Sequence, residues 1–141
     1  MEPYRCDWCL ANPTYMAYHD TEWGVPIYDD VRLFEALLLE TFQAGLSWWS
    51  VLQKRDNFLK AFYGFDVNRI AQMTTYDADG LMQDKGIIRN RGKINAAISN
   101  AQSFIKIQKE VGSFSDFMWA YTNGIPIQNQ YTQTKELPQT T

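Results

Sequence analysis

The sequence predicts an all-α domain with an irregular N-terminal segment. Three observations carry that expectation. Apolar residues recur at offsets of three and four over most of the stretch from residue 31 to 121. Helix-opening and helix-closing residues, such as Asp29-Asp30, Gly45, Ser47, Gly64 and Asp66, fall between those runs. No stretch alternates apolar and polar residues for long enough to read as a strand. A chain of 141 residues fits one domain, and an apolar content of 45% is enough for a genuine core.

Taken in order, residues 1–28 read as an irregular lead-in with one helical turn near Thr14 to His19. Asp29 and Asp30 supply N-cap chemistry for a helix reaching about Phe42, with Val31, Leu33, Phe34 and Leu37 as its apolar stripe. Gly45 ends it, and Ser47 caps a second helix running from Trp48 to Phe62, closed by Gly64. Asp66 opens a short helix through Met73, and Thr75 or Asp77 opens another through about Asp84. Past a tight connection at Gly86, a longer helix runs from Arg91 to Val111 with Ile94, Ala97, Ile98, Ala101 and Ile105 inward. Gly112-Ser113 breaks it before a last short helix, Phe114 to Tyr121, ended by Asn123-Gly124. Residues 1–124 are therefore expected to form the folded domain. Residues 125–141, rich in Gln, Thr and Asn, are expected to form an exposed tail.

Thirteen basic against sixteen acidic side chains give a net charge of −3, which argues against a global nucleic-acid footprint and leaves any such role to local charge. The N-terminus lacks a signal-peptide run, and no apolar stretch is long enough to span a bilayer. Two cysteines three residues apart are no disulfide framework, so a cytoplasmic protein without membrane contact is expected.

Three places hold candidate chemistry. Glu40 lies three residues after Leu37 and seven after Leu33, offsets that put a carboxylate on the apolar stripe. Such a group is either partnered by a nearby cation or backbone donor, or aimed into a cavity. The turn Gln43-Ala44-Gly45-Leu46-Ser47 brings Trp48 near it, and an aromatic face beside a carboxylate suits a flat cation. The second place is Lys85-Gly86-Ile87-Ile88-Arg89-Asn90-Arg91-Gly92-Lys93, basic and free of acids between two helices. It is either an ordinary solvated loop or a hairpin presenting backbone N–H groups and cations to phosphate. The third is Cys6, Cys9 and His19, which read equally as reduced thiols with a hydrogen-bonded His or as part of a zinc site.

Arg5-Cys6-x-Trp8, Tyr18-His19-Asp20-x-Glu22-Trp23-Gly24-Val25-Pro26, Gln43 to Trp48 and Gly86 to Lys93 together resemble the 3-methyladenine DNA glycosylase I family. That family is a branch of the helix-hairpin-helix glycosylases, and the likeness runs from Arg5 to about Pro138. The resemblance implies base-excision repair: hydrolysis of the N-glycosidic bond of 3-methyladenine in double-stranded DNA by a monomer. It implies that Glu40 and Tyr18 recognise the base and serve catalysis, and that Trp48 stacks on it. Trp8, Tyr15 and Trp23 would surround it. Gly86, Ile87, Arg89, Asn90, Arg91, Gly92 and Lys93 would hold DNA, and Cys6 and His19 would supply two of four ligands to a structural zinc. The family's second ligand pair lies beyond residue 141, so half of that site is expected to be missing. The alternatives are a truncated, inactive module that binds damaged DNA or free base, and a small zinc adaptor.

Overall fold

Short polar side chains open nearly every helix of the computed structural model, which describes residues 4–138. Asn12 accepts from the Thr14 and Tyr15 amides ahead of α1 (Pro13–Thr21), and Asp29 from the Arg32 amide ahead of α2 (Asp30–Gln43). Ser47 caps α3 (Trp48–Leu52), which is followed by α4 (Arg55–Ala61) with no side-chain cap. Asp66 caps α5 (Val67–Ala71), and Thr74 and Asp77 close a reciprocal capping box on α6 (Thr75–Leu81). Asn90 caps α7 (Arg91–Val111), and Ser113 caps α8 (Phe114–Trp119). Each such cap satisfies an amide that the helix leaves unpaired, worth about 1 kcal/mol. No strand forms among the described residues, so the all-α expectation holds.

The chain divides into two units, residues 27–124 and residues 1–26 with 125–141. Residues 1–3 of the expected lead-in and 139–141 of the expected tail lie outside the described residues. In the larger unit α7 is the packing axis, meeting α2, α5, α6 and α8. Its core is strongly aromatic. Phe42 meets Phe58 and Phe62 edge-on at 4.8 and 5.7 Å, Phe34 meets Phe104 at 5.2 Å, and Phe104 stacks on Phe114 at 4.0 Å. Phe58 and Phe62 are fully buried and Phe65 nearly so. In the smaller unit, residues 125–133 and 135–138 are exposed, a 3₁₀ turn forms at Thr134–Glu136, and Tyr4 donates to the Thr132 carbonyl at 3.4 Å.

Four helical expectations need correction. The lead-in holds a nine-residue helix, α1, and a 3₁₀ turn at Asp7–Cys9. The expected continuous helix 48–62 is two helices, because the Lys54 amide bonds back to Val51 rather than to residue 50 and tightens the turn. The buried line of α2 is Phe34, Leu38, Leu39 and Phe42, with Leu33 and Leu37 only partly covered and Val31 exposed. On α7, Phe104 takes the buried position expected of Ile105, because the aromatic contacts to Phe34 and Phe114 set the helix's rotation.

Candidate functional site

Glu40 stands near the C-terminal end of α2, beside the buried line rather than on it. The expectation of a carboxylate on the apolar stripe is therefore corrected: the residue lies at the flank of the stripe and is exposed. Enough protein still surrounds the carboxyl to displace water and push its pKa above the ordinary value. Among the described residues no hydrogen bond or ion pair offsets that cost. Past Glu40 the chain reverses at Gly45, whose φ of +78° a residue with a Cβ adopts only under strain. The turn is fastened on itself, the Leu46 amide donating to the Gln43 carbonyl at 2.7 Å and Gln43 Nε2 donating to the Leu46 carbonyl at 2.7 Å. Trp48 follows as the first residue of α3, partly buried against the core. The larger unit thus carries the carboxylate and the indole on the two sides of one tight turn.

The same unit holds the basic segment, between α6 and α7. Its residues divide by what they touch. Ile87 is buried and anchors the turn in the core. Gly86 has both backbone groups engaged, its amide donating to Asp84 at 2.7 Å and its carbonyl accepting from Asn57 Nδ2 at 3.1 Å. A Cβ here would lie 3.0 Å from the Asn57 and Asp84 side chains, so only glycine fits without displacement. Asn90 accepts from the Lys93 amide at 3.1 Å and starts α7, and Arg91 is ion-paired with Asp79. Arg89 and Gly92 face solvent. Lys93 turns inward, its ammonium donating to the carbonyls of Phe42 at 2.7 Å and Ala44 at 2.6 Å.

The smaller unit gathers the remaining predicted residues. Trp8 lies 4.9 Å from Tyr15, 5.2 Å from His19 and 5.3 Å from Trp23, ring centre to ring centre. His19 stacks on Trp23 at 5.2 Å, and Tyr15 meets Tyr18 at 6.3 Å. Burial, then the nearby Cys9, pushes the Tyr15 phenol up. The family resemblance pointed to Trp8, Tyr15, Tyr18, His19 and Trp23. The structure makes them one cluster around the end of α1.

Asp20 is the residue the sequence reading passed over. Arg5 grips it in a fork, Nε at 2.9 and 3.1 Å and a terminal nitrogen at 2.7 Å, and Asp20 faces His19 Nδ1 at 3.1 Å. The hydrogen bonds from Arg5 and His19 hold its carboxyl below the ordinary value. A carboxylate at Nδ1 places the proton there and leaves Nε2 as the acceptor, which takes the Cys6 amide at 3.4 Å. The signal was available: an aspartate directly after the only histidine, inside a quoted motif. Cys6 and His19 are thus neighbours, but structural zinc takes four ligands. Among the described residues no group of three or more His, Cys, Asp or Glu is arranged to hold a metal. The described residues do not complete a zinc site.

A family model described as methyladenine glycosylase matches residues 8–141. DNA-3-methyladenine glycosylase 1 of Escherichia coli (strain K12) is 46% identical over 137 residues, covering 97% of this chain and 73% of the relative. A crystal structure of 3-methyladenine DNA glycosylase I has a TM-score of 0.92 at 47% identity, over 96% of this chain and 74% of that one. A tyrosine-to-phenylalanine variant of 3-methyladenine DNA glycosylase I, solved in complex with 3-methyladenine, has a TM-score of 0.91 at 41% identity, over 94% and 72%. Likeness of this degree fixes the class as an all-helical glycosylase. The chain belongs to the methyladenine glycosylase family.

Proposed function

We propose that this chain is a monofunctional DNA repair glycosylase that hydrolyses the N-glycosidic bond of 3-methyladenine in alkylated duplex DNA. One observation carries the reading: Glu40, unpaired among the described residues, and Trp48 bracket a single fastened turn. Methylation at N3 leaves adenine cationic, so a carboxylate and a π-face favour it over the neutral base. The base must first leave the stack, at a cost of a few kcal/mol. Water then adds at C1′ while the glycosidic electron pair returns to the ring. The base departs neutral, needs no proton from an acid, and the water's proton passes to a basic group. Glu40 recognises the base, and Glu40 or Tyr18 assists the water. Trp48 stacks on the base, and Trp8, Tyr15 and Trp23 supply the further aromatic surface that the family resemblance implies.

DNA is held by a helix-hairpin-helix element over residues 75–111. Gly86, Ile87, Asn90 and Gly92 shape the hairpin and the start of α7, while Arg89 and Arg91 supply positive charge to phosphate. Lys93 is held away from a nucleophile's role, its side-chain nitrogen donating to two backbone carbonyls. The zinc that the resemblance implies would take Cys6 and His19. Two donors hold zinc weakly, so no chemical step depends on it. The reading includes a monomer in the cytoplasm, where the free thiols Cys6 and Cys9 stay reduced. Among the described residues no helix is long and apolar enough to cross a membrane. The test is release of free 3-methyladenine from alkylated duplex DNA by the chain and by Glu40→Gln. Release by the parent and its loss in the variant is the expected result. A parent that releases nothing refutes the function, and a variant as fast as the parent refutes the assignment of Glu40.

A further inference from the structure

We propose that Lys93 is a positioning residue for the base pocket rather than a phosphate contact, an inference that rests on the functional reading above. Its place in the sequence, at the end of a basic run, suggests DNA. Its side chain does something else. The ammonium leaves the hairpin and crosses to the far end of α2, where it donates to Phe42 and Ala44 at 2.7 and 2.6 Å. Those carbonyls lie two and four residues after Glu40, and the second lies four residues before Trp48. A helix leaves its last carbonyls without intrahelical partners, and a cation there also meets the negative end of the helix dipole. With the Leu46 amide on the Gln43 carbonyl, Lys93 closes the last turn of α2 at three successive residues, 42 to 44.

The consequence is a mechanical link. Lys93 is the third residue of α7, whose start is fixed by the Asn90 cap and by Ile87 in the core. The segment proposed to grip phosphate is therefore tied to the turn that lies between Glu40 and Trp48 in the chain. Docking the hairpin on the backbone and holding the pocket in register become one event. Geometry errors near 1 Å at a reacting centre cost up to about a hundredfold in rate, so a loosened turn is felt. The two roles for Lys93 predict opposite signatures. A phosphate contact is sequence-independent and salt-dependent, and its loss lowers the salt slope of DNA binding by about 0.9. A positioning residue leaves the slope alone and weakens the grip on the base itself.

The experiment compares the full chain with Lys93→Met, Lys93→Arg and Arg89→Gln. Binding of free 3-methyladenine is followed by tryptophan fluorescence, and binding of duplex DNA is measured across a salt series. Lys93→Met should weaken free base by about tenfold at an unchanged salt slope, and Lys93→Arg, which keeps a cation in reach, should recover part of the loss. Arg89→Gln should do the reverse, lowering the slope by about 0.9 without touching base affinity. A lowered slope in Lys93→Met, or an unchanged base affinity, overturns the proposal. Should the parent chain fail to bind 3-methyladenine, the functional reading fails on its own account. Amide exchange over residues 43–48 then decides the tether: faster exchange in Lys93→Met supports it and unchanged exchange refutes it.

Discussion

Asp30 is the residue whose removal should cost this fold most for the smallest change in shape. It is the first residue of α2, yet its carboxylate serves other helices. Oδ2 accepts from Gln108 Nε2 at 2.7 Å and from the Phe114 amide at 2.9 Å, and Oδ1 accepts from the Ser115 amide at 2.8 Å. One side chain therefore joins the starts of α2 and α8 to the last turns of α7. Burial raises its pKa, but the three donors lower it by more, and the carboxyl titrates below its ordinary value. Hydrogen bonds to a charged group contribute about 1.5–3 kcal/mol each, and they are not additive. Asp30→Asn keeps the shape but turns an NH₂ toward donors on one side, so a loss of about 2–3 kcal/mol is expected. In a domain of this size that lowers Tm by roughly 6–12 °C. The sign with pH follows from the depressed pKa. The stabilisation is fully present above the unfolded-state carboxylate range and is lost as pH falls through the lower folded value. The assay is thermal unfolding of parent and Asp30→Asn from neutral to acid pH. The variant should melt lower at neutral pH, and the gap should narrow in acid. Equal melting temperatures at neutral pH, or a gap that widens in acid, would refute the reasoning.

Two further outcomes follow. Because its carboxyl is pushed up by partial burial, Glu40 should impose an acid limb on base affinity at a pH above the ordinary glutamate range, with binding lost as pH falls through it. Glu40→Gln should remove that limb and leave Tm unchanged or slightly raised, since the raised pKa makes the charged form a cost to folding; base binding against pH and a melt check both. Zinc measured after purification should be well below one ion per chain, and a chelator should leave Tm unmoved, because Cys6 and His19 have no third ligand among the described residues.

Much of this was legible because caps and breakers act locally. Asp29, Ser47 and Asp66 announce their helices through bonds to amides two or three residues on, and those bonds formed. The same logic could have found α1, since Asn12 followed by Pro13 is a cap and a first-turn proline. An apolar stripe does not reveal it, because α1 has no buried residue. What stayed hidden depends on contacts far apart in the chain. Three leucines in a row, Leu37 to Leu39, leave the rotation of α2 undecided until α7 packs against it, and that displaced Glu40 from the stripe to its flank. The errand of Lys93, 49 and 51 residues away along the chain, has no local signature at all. Asp20 was hidden differently: its role needs Arg5 and His19, and both stand in motifs already singled out.

The most direct test of the whole account separates excision from mere recognition. Alkylated duplex DNA is incubated with excess chain, and released bases and abasic sites are counted together, for the parent and for Trp48→Ala. The parent should yield free 3-methyladenine and an equal number of abasic sites. The variant should lose about tenfold or more in rate, the scale of one stacked base. Retention of 3-methyladenine on the protein with no abasic sites formed would contradict the functional reading and leave a binding module in its place.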